Sequence, residues 1–164
     1  MIPIGDDNSC ERGTAWLTWL IIALNVYVFV FVEGFGLNDA VVSCYAAVPA
    51  EILSGQDVAT SARRLFEPWT GRILRISGLA PTPIPVYLTL LTSLFLHGGF
   101  AHLAGNMLFL GVFGDNVECR IGKPRYLLLY LVSGVLGSLA HVGACALAGE
   151  IGRASCRERV LTDV

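Results

Sequence analysis

Three regions of this chain are free of charged residues over lengths that can cross a lipid bilayer, and no other feature limits its fold as much. The first is "TAWLTWLIIALNVYVFVFV", Thr14 to Val32. As a helix rising ~1.5 Å per residue it reaches about 28 Å, close to the ~30 Å hydrocarbon core of a bilayer. The second, Ile76 to Gly114, is too long for one span. The third is "YLLLYLVSGVLGSLAHVGACALAG", Tyr126 to Gly149. Composition agrees. The chain is 54% hydrophobic and 15% charged, with mean hydropathy +0.64, whereas a soluble domain is about a quarter charged. Its 164 residues fit one modest domain or a small helical bundle. A net charge of -2, with no basic stripe among aromatics, argues against a nucleic-acid partner.

Trp16 and Trp19 open the first segment, as an interfacial aromatic belt would. A cleaved signal peptide fits poorly. Asp6, Asp7 and Glu11 oppose the single Arg12, and the apolar run exceeds an h-region. The "VVSC" of Val41 to Cys44 lies too far past that run for a lipoprotein cleavage site. The five cysteines have no paired or metal-type spacing and read as small apolar residues.

Residues 1–13 form a polar tail, and residues 33–85 a long connection. In "ARRLFEPWTGRILRI" apolar residues alternate with arginines. The stretch reads either as an amphipathic segment lying on the membrane surface or as an irregular loop interrupted by Pro68 and Gly71. Pro81, Pro83 and Pro85 predict an extended entry to the next apolar region. "VYLTLLTSLFLH" is helical in pattern, and Gly98-Gly99 should end it. A second spanning helix then runs from near Phe100 to about Val117. Arg120, Lys123 and Arg125 crowd the next link, which assigns it to the cytoplasmic side. With spans near 14–32, 100–117 and 126–149, the N-terminal tail shares that side and residues 33–85 lie outside. That loop carries Arg63, Arg64, Arg72 and Arg75, but long loops follow the charge rule loosely.

In the third segment Ser133/Gly137 and Gly134/Ser138 are small-residue pairs at i,i+4, suited to close helix packing in lipid. Ser138 and His141 share a face as a nucleophile and base would. Without a strained turn or an activating neighbour, packing is the better reading. Residues 150–164 change character. Six of the fifteen residues in "EIGRASCRERVLTDV" are charged. Its first eleven match a translation of a common sequencing adapter, so the tail is read as an artefact and set aside from the fold.

The polar groups of the apolar second region gather in "FLHGGFAHLAGN". His102 and Asn106, four apart, differ by ~40° of helical rotation and face one direction. His97 precedes the glycine break and can fold back toward them. Three readings compete. The pair can be an interhelical hydrogen-bonding pair. It can contribute to a metal site, although no carboxylate is near and H-E-x-x-H is absent. It can form an oxyanion-binding corner, with an amide and an imidazole N–H stabilising charge on a carbonyl oxygen.

"LTSLFLHGGFAHLAGNMLFLGVFGDNVECRIG" resembles the second-helix region of the rhomboid intramembrane serine proteases. Their H-x-x-x-N motif stands as His102 to Asn106, with an upstream histidine at His97. The "GDNVE" of Gly114 to Glu118, the opening "IPIGDDN" and the third-helix "YLLLYLVSGVLGSLAH" are similar to bacterial members. Cys119 departs from the pattern, where an acidic residue is common. The resemblance implies an all-α, multi-pass transmembrane helical bundle, here truncated after about three of six spans, with short amphipathic helices in the first loop. It implies an endopeptidase that cleaves transmembrane substrates in the bilayer without cofactor or metal. It assigns His102 and Asn106 to oxyanion stabilisation and His97 to the active-site cavity. The family's serine, in G-x-S-G on the fourth helix, and its histidine on the sixth have no counterpart here, so Met1 to Val164 should be inactive by itself. The resemblance also places the chain in a bacterial cytoplasmic membrane. A non-catalytic relative that binds transmembrane clients is the alternative. A transporter fragment would call for ionisable groups near mid-membrane.

Overall fold

The computed structural model describes residues 15–61, 63–66, 73–76, 78–147 and 160–161. The N-terminal tail and nearly all of the adapter-like tail lie outside them. The architecture is all-α with one small hairpin. Helix α1 (Trp16–Tyr27) continues into a π-helical turn over Val28–Val32. Short helices α2 (Asp39–Tyr45) and α3 (Pro49–Ser54) follow, then strands β1 (Arg63–Phe66) and β2 (Ile73–Ile76). A 3₁₀ turn at Val86–Leu88 leads into α4 (Thr89–Thr92), and a second covers Ser93–Phe95. Helices α5 (Phe100–Ile121) and α6 (Lys123–Leu147) complete the set, and β3 (Val160–Leu161) pairs with β2.

Among the described residues, α6 alone is long and apolar enough to cross a membrane by itself. Val86–Phe95 and Phe100–Ile121 qualify together as one broken span, and Trp16–Val32 is a shorter apolar helix. Burial is inverted relative to a soluble protein. The fully buried large side chains are Phe29, Glu33, Glu51, Glu118, Asn25, Thr18 and Thr89, while Leu20, Phe31, Leu108, Leu128 and Leu136 are exposed. In water that distribution would be unfavourable on both counts. In lipid, apolar side chains lose nothing by facing outward, and polar groups gain by turning inward to find partners.

The chain divides into two units. The first, Met1–Asn38 with Leu94–Val135, is built on α1, α5 and the first half of α6. Leu17, Ile21 and Tyr126 form its core, with Leu110, Val117, Ile121 and Tyr130 packed against them. Gly114 permits the close approach. A Cβ there would stand 2.6 Å from the Tyr126 hydroxyl and 2.9 Å from Cγ2 of Thr18. A helix start leaves N–H groups without intrahelical partners, and the N-cap residue of α1, Ala15, has no side chain to serve them. Glu118, near the end of α5, does so instead. It accepts the N–H of Leu17 at 3.2 Å, and the N–H and hydroxyl of Thr18 at 2.7 and 2.8 Å. Its negative charge also suits a helix N-terminus.

In the second unit, Asp39–Ser93 with Leu136–Val164, the described residues of the long connection form defined elements. Helix α3 begins at Pro49 and ends at Gly55, whose left-handed φ of 68° closes the cap onto Glu51. Thr60 and Leu79 exchange two hydrogen bonds of 3.0 Å, Asp57 accepts the Thr82 N–H, and the Thr92 hydroxyl donates to the Tyr45 carbonyl. The amphipathic stretch is neither a surface helix nor an irregular loop. It forms an antiparallel pair with Arg64 opposite Arg75 and Phe66 opposite Ile73. Pro68 and Gly71 between the strands disfavour a helix, and the isoleucines of β2 favour extended backbone.

Of the small pairs on α6, Gly134 and Ser138 are the ones in use. Leu94 packs directly on Gly134, and the Ser138 hydroxyl lies 3.3 Å from that of Ser93. Gly137 faces open space. His141 contacts Cys145, at 3.8 Å, so the two residues weighed as a nucleophile–base pair have other neighbours. Cys119 and Cys145 each take part in a disulfide, which corrects their reading as merely small apolar residues, and Cys44 is free.

Candidate active site

Polar groups converge where the double glycine interrupts the helical path. Helical backbone stops at Phe95 and resumes at Phe100. His97 lies inside the interruption and is buried. Its backbone N–H is shared between the two carboxylate oxygens of Glu33, at 3.0 and 3.1 Å. Its ring Nδ1 is 3.2 Å from the Phe95 carbonyl. A proton on Nδ1 makes that contact a hydrogen bond and leaves Nε2 free to accept.

His102 stands in the first turn of α5, with its ring edge-on to that of His97 at 5.5 Å between centroids. Asn106 follows one turn later. Both are exposed, and neither side chain has a hydrogen-bond partner among the described residues. A cavity of about 320 Å³ is lined by His97 and Asn106, with Asn25 from α1 and Tyr130, Ser133 and Gly134 from α6. This volume falls at the lower end of small-ligand sites. His102 is not part of the lining and reaches the site through its contact with His97. One helical turn of rise separates it from Asn106, so a shared face does not place both side chains in one cavity.

Three residues that sequence reasoning missed complete the surroundings. Asn25 is fully buried and donates to the Ile21 carbonyl at 2.8 Å and to the Tyr130 hydroxyl at 3.3 Å. Its Oδ1 has no partner in the described structure. Glu33 holds the His97 amide. Asn25 and Glu33 had a legible signal, as an amide inside the first apolar segment and an acid at its end. Tyr130, in a run of leucines, had none. Among the described residues no three His, Cys, Asp or Glu side chains converge as metal ligands would.

The rhomboid-domain family model matches residues 85–152, which contain α4, α5, α6 and all three residues of the expected site. The chain belongs to the rhomboid family. This rhomboid chain is 51% identical over 51 residues to rhomboid protease GluP of Bacillus subtilis (strain 168), covering 31% of this chain and 10% of that one. It is 32% identical over 141 residues to the mitochondrial RHOMBOID-like protein 6 of Arabidopsis thaliana, covering 78% and 43%. It is 27% identical over 133 residues to inactive RHOMBOID-like protein 8 of the same plant, covering 76% and 37%. The chain spans less than half the length of each of these relatives. No solved structure matches it. Rhomboids are integral membrane proteins, in keeping with the inverted burial. The relatives include proteins named as proteases and one named as inactive, so membership alone does not assign activity.

Proposed function

We propose that this chain forms the oxyanion side of an intramembrane serine endopeptidase that cleaves transmembrane protein substrates. The observation that carries the reading is the polar cavity itself. His97 and Asn106 open into one space, and His102 rests against His97. Asn106 and His102 have donors uncommitted to any described protein group, as stabilisation of a developing oxyanion requires. In this reading Asn106 binds the oxyanion from within the cavity, His102 joins it from its place beside His97, and His97 shapes the cavity. The nucleophilic serine and its histidine partner come from sequence beyond Met1–Val164, which holds no G-x-S-G. The basic end at Arg120, Lys123 and Arg125 faces the cytoplasm of a bacterial cell, and the N-terminus lies on that side.

The test is the full reading frame, reconstituted in lipid vesicles with a transmembrane reporter substrate. Cleavage that is lost when the serine is replaced supports the protease. His102→Ala and Asn106→Ala should each lower kcat on the order of 10²-fold. Unchanged kcat in both variants removes them from the oxyanion role. The similarity to inactive RHOMBOID-like protein 8 favours a second reading, a non-catalytic binder of transmembrane clients. A full reading frame without G-x-S-G that still retains a transmembrane client would establish it.

A further inference from the structure

We propose that Glu33 is a positioning residue for this site: its carboxylate, just past the π-helical turn that extends α1, fixes the backbone of His97 and so sets the arrangement of His97 and His102. The inference rests on the proposed site, but its geometry stands apart from any catalysis.

Glu33 is fully buried and so is the amide it holds. A carboxylate is costly to bury unless hydrogen bonds compensate it, so its contacts are strongly determined. Both of its oxygens lie within hydrogen-bond distance of one N–H, a charge-assisted contact. The backbone of Glu33 is held on both sides. Its N–H donates to Val28, the N–H groups of Gly36 and Asn38 return to its carbonyl, and the Asn38 side chain donates to Val32. Gly34, Phe35 and Gly36 all have positive φ, a tight left-handed turn directly after Glu33. The carboxylate is thus carried on a rigid mount.

The group it holds is the one site residue outside a helix. His97 lies between the end of one helical segment and the start of another, next to Gly98 and Gly99. A backbone shift there changes the His97 ring contact with Phe95 and its 5.5 Å approach to His102 together. Glu33 does not line the cavity and meets it only through the backbone of His97. Its effect on chemistry passes through His97.

The chain holds three histidines, so its imidazole ¹⁵N NMR signals in detergent micelles can be assigned by single substitutions. Glu33→Gln keeps the shape and removes the charge. Glu33→Asp keeps the charge and withdraws it by about one C–C bond, ~1.5 Å. Positioning predicts that a folded Glu33→Gln chain shows displaced His97 and His102 signals and an unchanged His141 signal. In the full reading frame it also predicts that kcat falls between about 10- and 100-fold with KM unchanged, since a 1 Å misplacement can cost that much. A folded variant with all three signals unchanged overturns the proposal. If Glu33→Gln does not fold, Glu33→Asp carries the same test with the same outcomes. An inactive parent enzyme whose His97 and His102 signals still move on substitution would refute the protease reading and leave the positioning role standing.

Discussion

Replacing Glu118 tests whether a distant carboxylate serves as the missing cap of α1. Glu118→Ala would strip two helix-terminal N–H groups and the Thr18 hydroxyl of their acceptor, in a site where Glu118 is 2% exposed. A hydrogen bond to a charged group contributes about 1.5–3 kcal/mol, and such contributions overlap when one group makes several. The expected loss for Glu118→Ala is therefore about 3–5 kcal/mol, the range for breaking a buried charged set. Glu118→Gln keeps one acceptor but turns an NH₂ toward a donor, and should cost about 1–3 kcal/mol. Lys123 lies 3.8 Å from Glu118 and a third of its side chain is exposed. An ion pair of that kind contributes less than about 1 kcal/mol, so Lys123→Ala should be mild. Equilibrium unfolding in mixed micelles, followed by far-UV circular dichroism, measures all three. A Lys123→Ala loss equal to that of Glu118→Ala would show that the ion pair, not the cap, matters. A Glu118→Ala loss under about 1 kcal/mol would remove the cap altogether.

Gly114→Ala and Gly111→Ala form a matched pair on α5. The first sets a Cβ 2.6 Å from the Tyr126 hydroxyl and should cost about 1–3 kcal/mol by overpacking. At Gly111 the nearest atom is 3.9 Å away, and alanine should be neutral or stabilise the helix by up to about 1 kcal/mol in the same unfolding assay. Gly55→Ala combines a φ of 68° with a Cβ 2.8 Å from the Tyr87 hydroxyl, and should lower stability by more than about 1 kcal/mol. Asn25→Leu takes the Asn25 amide from the Tyr130 hydroxyl and should cost about 1–2 kcal/mol. A stabilised Asn25→Leu chain would show that the amide is present for the cavity and not for packing.

The sequence by itself determined the solvent, the main helices and one break. Lipid was legible because long uncharged runs have few other homes. The start of α5 at Phe100 was legible because two adjacent glycines interrupt a helix wherever they fall. His97, His102 and Asn106 were legible as polar exceptions in an apolar region. Cavity, cap and clamp were not. Glu118 meets Leu17 across 101 positions of sequence and Glu33 meets His97 across 64. Nothing in the local pattern says which buried acid answers which amide. The two strands were missed for a related reason. Arginines alternating with apolar residues suit a surface helix or a hairpin about equally, and pairing decides. Periodicity and punctuation are short-range properties, whereas the satisfaction of buried polar groups is settled only when distant helices close upon one another. Tertiary structure alone therefore decided that a carboxylate of α5 caps the start of α1 and that Glu33 holds the chain just before α5.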